Sequence, residues 1–374
     1  MNIEEVSEIL KEEVIKNHPE ISIIAIYGSA ARGQQTDFSD LDMYAVLDNE
    51  ENAFEIHFTL NNQTVEFWCI PWEWVEKIVS AKEDANPILF PIRTSIFLNN
   101  KVIFARSEED EIRFKNLKKL ADIGKKRQIQ IASNNFDKLF SFIERVNYAN
   151  EIDDLLTARW AVWEFIDNTV CILALINYKL LIKNWGSNLH EIFEFDILPD
   201  FYKEDILVLA TSNDFKEIIS TGRRIIREVR KILHSKREEI SLDYEEHMKY
   251  LDEEYIAFKG YSNKILSACS KRDILAASYA ATELQVWMAD QLERTETRRT
   301  TDIYTFNTYQ ELKNTYEMLK IPDLSQYITE KDFEKLKEEV EKIDEILIDY
   351  FKGKNLELRI FKDVSEVKEF AKTK

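Results

Sequence analysis

The spacing of apolar residues changes character twice along the chain. In MNIEEVSEILKEEVIKNHPE they recur at helical intervals on an acidic background, which predicts an amphipathic helix. Two short apolar runs follow, 21–27 (ISIIAIY) and 40–47 (DLDMYAVL), and both read as buried strands. Next, 54–60 and 63–70 alternate between apolar and polar on either side of Asn61-Asn62, the pattern of a hairpin. A helix is expected from Trp72 to about Lys82 and a further strand over 101–106. The N-terminal part thus predicts an α/β unit with a mixed sheet and flanking helices.

From about Leu117 the apolar period becomes three and four, Gly and Pro nearly vanish, and long helices are expected to the end. This region echoes itself. Ala158-Arg159-Trp160-Ala161-Val162-Trp163-Glu164 is answered by Ala277-Ser278-Tyr279-Ala280-Ala281-Thr282-Glu283, Leu198-Pro199-Asp200 by Ile321-Pro322-Asp323, and 213–217 by 331–335. The offsets of 119, 123 and 118 residues keep their order, which favours a duplicated helical bundle over chance likeness. The fold class expected is therefore α+β: a catalytic-type domain over 1–116, a helical bundle over 117–240, and a second bundle, a possible repeat of the first, over 241–374.

With 45% apolar residues in 374, the chain can bury a substantial core and is not a disordered sequence. Its net charge of −19 repels phosphate backbones, so nucleic acid is a poor partner and a small polycationic substrate suits better, although on composition alone the acidity is explained by solubility. Cys69, Cys171 and Cys269 are scattered singly in apolar surroundings, as expected of free buried thiols in a reducing compartment. The N-terminus lacks the basic-then-apolar order of a signal peptide, and the longest apolar run, 169–182, is too short and too interrupted to span a bilayer. A cytoplasmic location without membrane attachment is the expectation.

Chemistry concentrates in YGSAARGQQTDFSDLDMYAV, which holds two of the chain's seven glycines, Gly28 and Gly33. A glycine turn after a strand can aim backbone N–H groups at anionic oxygens, and Ser29 adds a hydroxyl donor. Arg32 is available for a phosphate. Asp40 and Asp42, two residues apart at the start of a strand, project to the same side, and carboxylates that close call for a hard cation such as Mg²⁺. Glu66 completes the cluster if its strand lies beside theirs, and three carboxylates suffice for two ions. Either feature alone is a weak signal, since acidic pairs at strand starts are usually only solvated.

Gly28-Ser29, Arg32-Gly33 and Ser39-Asp40-Leu41-Asp42 resemble the signature of the DNA polymerase β-like nucleotidyltransferase superfamily. The likeness is closest to the kanamycin (aminoglycoside-4′) nucleotidyltransferase family, which similarly carries its third carboxylate in a Val-Glu strand, as Val65-Glu66 does here. It is tightest over 21–70 and loosens towards 235. The resemblance implies Mg²⁺, two ions, on Asp40, Asp42 and Glu66, with ATP or another nucleoside triphosphate held by Gly28, Ser29, Arg32 and Ser39. It also implies a glutamate general base on a helix expected over 134–148, for which Glu144 is the candidate, and a homodimer. That family's phosphate-binding lysine has no counterpart, since Tyr148 stands near its place with Arg145 close by.

The function expected is therefore Mg²⁺-dependent transfer of a nucleoside monophosphate to a hydroxyl of a small, aminoglycoside-like acceptor, with release of pyrophosphate. The competing class is an antitoxin-like or protein-modifying nucleotidyltransferase acting on a protein partner, which would use the same residues. The tryptophans offer aromatic walls, but helical-face packing is the expectation for Trp160 and Trp163. His57, His190, His234 and His247 show no zinc spacing. Arg227-x6-His234 is faintly similar to a motif of helical ribonuclease toxins, too short to weigh against the rest.

Overall fold

The computed structural model describes residues 3–36, 39–49, 51, 53–60, 63–183, 188–239, 244–298, 309–356, 358, 360–361, 363–364 and 366–367. The expected Asn61-Asn62 turn lies outside the described residues. The chain divides into two compact units, Met1–Lys236 and Arg237–Lys374.

The first unit opens with α1 (Ile3–Asn17), then β1 (Ile21–Tyr27), a single helical turn α2 (Gly28–Ala31), β2 (Leu41–Leu47), β3 (Glu55–Leu60) and β4 (Gln63–Pro71). Helices α3 (Trp72–Val79) and α4 (Phe90–Leu98), strand β5 (Lys101–Ala105) and helix α5 (Glu108–Leu120) follow. The five strands form one sheet in the order β3-β4-β2-β1-β5, mixed as expected: β2 and β4 are parallel, the other neighbours antiparallel. Because side chains alternate across a strand, Ile23, Ala25, Tyr44 and Val46 pack on one face against Trp72, Val75, Phe97 and Phe114 of the helices. Ile24, Ile26, Met43, Ala45, Val65 and Phe67 form the opposite face with Val14 of α1. Both layers are dry, which fixes the register: a one-residue slip would turn every apolar side chain to the wrong face.

The rest of this unit is helical: α6 (Gly124–Asn134), α7 (Lys138–Glu151), α8 (Leu155–Ile176), the short α9 (Asn188–Ile192), α10 (Tyr202–Thr211) and α11 (Phe215–Glu238). One expected helix is cut differently. Between α6 and α7 the chain breaks at 135–137, where the buried Asn135 side chain donates to the Ile131 carbonyl at 2.9 Å and so competes with the backbone for a helical acceptor. Where α7 and α11 cross, Gly222 lets the backbone meet a ring: a Cβ there would lie 2.1 Å from Phe142 Cε1.

The second unit contains α12 (Tyr244–Lys271), α13 (Ile274–Thr297), α14 (Tyr309–Leu319), α15 (Ser325–Glu330) and α16 (Phe333–Gly353). Its core is formed by Phe258, Leu284, Met288, Leu312, Val340 and Phe351 with their neighbours. At the offset seen in the sequence, α8 and α13 share local detail. Each follows a residue at positive φ (Asp153 at 53°, Arg272 at 55°), and each is capped by an aspartate, Asp154 or Asp273, that accepts the N–H three residues on. Burial also runs in parallel: Ala158 and Ala277 are enclosed, while Leu156 and Leu275 are 79% and 80% exposed. The two helices diverge towards their C-terminal ends, where the enclosed Cys171, Ile172 and Ala174 are matched by Asp290, Gln291 and Glu293.

The expectation that Trp160 and Trp163 serve helical packing is corrected here. Both remain exposed, at 64% and 40%, because they share with Leu156 the face of α8 that turns away from the core. All three cysteines are free, Cys171 and Cys269 buried and Cys69 half-buried. Among the described residues no helix is long and apolar enough to cross a membrane.

Candidate active site

Tyr27, Asp42 and Glu66 meet because of strand register. Tyr27 at the end of β1 pairs with Asp42 on β2, and Asp42 pairs with Glu66 on the parallel β4. Counting back in twos from Tyr44 and Trp68, both carboxylates fall on the face that packs against α3 and α4, one step beyond the apolar layer. The sheet thus carries two acidic groups side by side where its core ends. Asp40, just before β2, lines the same cleft.

Gly28 makes room for this arrangement. Its φ is +70°, and a Cβ would lie 2.4 Å from Asp42 Oδ2, so any side chain would displace the carboxylate. After it, Arg32 N and Gln34 N both donate to the Ser29 carbonyl, at 3.2 and 3.0 Å, and close the turn. Tyr27 makes no side-chain capping bond to α2.

The electrostatics are those of crowded acids. Burial pushes the Asp42 carboxyl up to about 6, with Glu66 and then Asp40 adding to the rise and Arg32 opposing it. Tyr27 is pushed up to about 12, again by burial first; the Trp68 indole, donating to its oxygen at 2.9 Å, opposes this, and Asp42 and Glu66 reinforce it.

These groups open into a cleft of about 740 Å³. Of the residues expected at the site, Gly28, Ser29, Arg32, Ser39, Asp40, Asp42 and Glu66 all line it. Glu144 does not. It stands on α7 in a separate hollow with Phe140, Ile143, Arg223, Ile226, Arg227 and Arg230. Arg145 is likewise engaged elsewhere, paired with Glu164 of α8 and 5.7 Å from the Trp160 ring. The structure adds residues the sequence did not place at the site: Ile92, Ser95 and Ile96 on α4 with Asn99 just past its end, and Leu181, Ile182, Lys183 and His190 from beyond α8. The i, i+3, i+4, i+7 spacing of 92, 95, 96 and 99 is the signal that could have grouped the first four; the approach of 181–190 is a long-range event.

Among the described residues no group of three or more His, Cys, Asp or Glu side chains is drawn together as a finished metal site. The donor set nevertheless fits a hard divalent cation. It is all carboxylate oxygen, and Asp42 and Glu66 are held in register on one face. The Asp42 carboxyl is raised first by burial and then by Glu66 and Asp40, both of which a cation between them would offset.

Residues 10–109, which span the sheet and this turn, match the family model described as polymerase beta, nucleotidyltransferase. That match supports nucleotidyl transfer in general, a reaction that in this family generally uses a nucleoside triphosphate and a divalent metal. No curated protein matches the chain. Among solved structures the chain is similar to the crystal structure of a nucleotidyltransferase-like protein from Exiguobacterium sibiricum 255-15. The likeness has 16% identity over 63% of this chain and 75% of that one, with a TM-score of 0.37, too distant to argue from.

Proposed function

We propose that the cleft transfers a nucleoside monophosphate, AMP from ATP, to a hydroxyl of a small polycationic acceptor of the aminoglycoside kind. The observation that carries the reading is the in-register pair Asp42 and Glu66 beside a glycine at which any side chain would displace the Asp42 carboxylate. Gly28, Ser29, Arg32 and Ser39 would receive the triphosphate. Asp40, Asp42 and Glu66 would hold Mg²⁺, two ions, which when bound supplies charge neutralisation at the phosphates.

The acceptor oxygen attacks the α-phosphorus, the bond from that phosphorus to the bridging oxygen of the β-phosphate breaks, and pyrophosphate leaves with the electron pair. The hydroxyl proton must go to a base within reach. Glu144 lies outside the cleft, so the proton passes to a group that lines the cleft and is not a metal ligand. The net charge of −19 favours a cationic acceptor, as does the resemblance to the kanamycin enzymes.

A second reading, modification of a protein hydroxyl, is favoured by one feature, the exposed face of Leu156, Trp160 and Trp163 on α8. Incubation with α-labelled ATP and Mg²⁺, with either an aminoglycoside panel or a cell lysate, separates the two. Label on a small molecule supports the first reading, and label on a polypeptide supports the second. Label on neither removes both.

A further inference from the structure

We propose that Lys183 binds the β- and γ-phosphates of the nucleotide, so that the triphosphate site is completed from the helical part of the chain. This rests on reading the cleft as a nucleoside triphosphate site.

Lys183 lines the cleft. In a chain with 69 acidic residues against 50 Lys and Arg, exposed lysines such as Lys101 and Lys118 are left to solvent, whereas half-buried ones such as Lys77 and Lys335 meet carboxylates. Lys183 is half-buried and, among the described residues, has no hydrogen-bond or ion-pair partner. An ammonium left unpaired in a recess is costly unless an anion arrives there.

The backbone leading into it is fixed from three sides. Leu181 N donates to the Pro91 carbonyl at 2.9 Å, Ile182 N donates to Glu191 Oε2 at 2.8 Å, and the Ile182 carbonyl accepts Arg32 Nη1 at 3.2 Å. That last bond ties the segment to the phosphate turn itself, so Lys183 enters the cleft one residue from the Arg32 contact. A phosphate chain whose α-phosphate meets the carboxylates would bring its distal phosphates to the turn, where Arg32 and the segment carrying Lys183 are joined. Glu191 acts through the backbone of Ile182 and is a positioning residue.

The test is calorimetric titration of the full chain, with Mg²⁺, using α,β-methylene-ATP and, separately, AMP. A charge-assisted hydrogen bond corresponds to roughly ten- to a hundredfold in binding. Lys183→Met should weaken α,β-methylene-ATP by that factor and AMP by less than about twofold, with an unchanged melting temperature, and Lys183→Arg should recover most of the loss. Equal weakening of both ligands, or no weakening of either, overturns the assignment while leaving the cleft a nucleotide site. If the unmodified protein binds neither ligand, the nucleotide reading fails and takes this inference with it.

Discussion

Replacing Gly28 with alanine separates two costs that the structure makes unequal. At φ +70° an L-residue loses about 1–2 kcal/mol whatever surrounds it. The added Cβ would also lie 2.4 Å from Asp42 Oδ2, well inside van der Waals contact. That oxygen is the end of a side chain, so it can rotate away at little cost to folding. It cannot do so without leaving its place beside Glu66. A misplacement of about 1 Å at a reacting site costs roughly a hundredfold in rate. Gly124→Ala is the control: Gly124 has nearly the same backbone, φ +74°, with nothing within 4 Å of its Cβ. Both variants should melt about 2–8 °C lower, from about 2–4 °C per kcal/mol for a unit of this size. Only Gly28→Ala should lose pyrophosphate release from ATP, by about two orders of magnitude. Equal activity in the two variants would refute the argument, and so would a melting temperature for Gly28→Ala far below that of the control.

Three other outcomes follow from the same coordinates. The Asp42 carboxyl is raised from 3.8 to about 6, so its ionisation opposes folding. That cost is absent below the unfolded value and complete above the folded one, so stability falls as pH rises from about 4 to 6. Asp42→Asn should remove the loss, at most about 3 kcal/mol at pH 7 by denaturant titration without divalent cations, while abolishing activity. Gly222→Ala should destabilise by about 1–3 kcal/mol in urea, because Phe142 is stacked on Phe165 with ring centres 4.4 Å apart and has no room to yield. Arg224→Ala should cost about 3–5 kcal/mol, since it strands Asp205, which is 3% exposed and accepts from Arg224 Nε at 2.9 Å.

The sequence showed most of what the strands decide and little of what the helices bring. The short apolar runs at 21–27 and 40–47 and the alternation at 63–70 are local signals, and the mixed sheet follows them closely. Asp42 and Glu66 could be paired in thought because both belong to such runs. That they are immediate neighbours depended on β3 turning back to place β4 beside β2, which the hairpin pattern allowed without dictating. Glu144 shows the opposite limit. An acid on an amphipathic helix carries no address, and only the packing of α7 against α11 decides which hollow it faces. Lys183 follows a long apolar run whose sequence announces burial and nothing about where the chain emerges. Trp160 and Trp163 went astray for a similar reason: helical spacing identifies a face without saying whether anything covers it.

The central claim is that this cleft moves a nucleotidyl group and not a terminal phosphate. Parallel reactions with α-labelled and γ-labelled ATP, each with Mg²⁺ and the acceptor panel, test it most directly. The α label should appear on the acceptor and the γ label in pyrophosphate, with both signals lost in Asp42→Asn. Appearance of the γ label on the acceptor, or transfer that survives Asp42→Asn, would contradict the account.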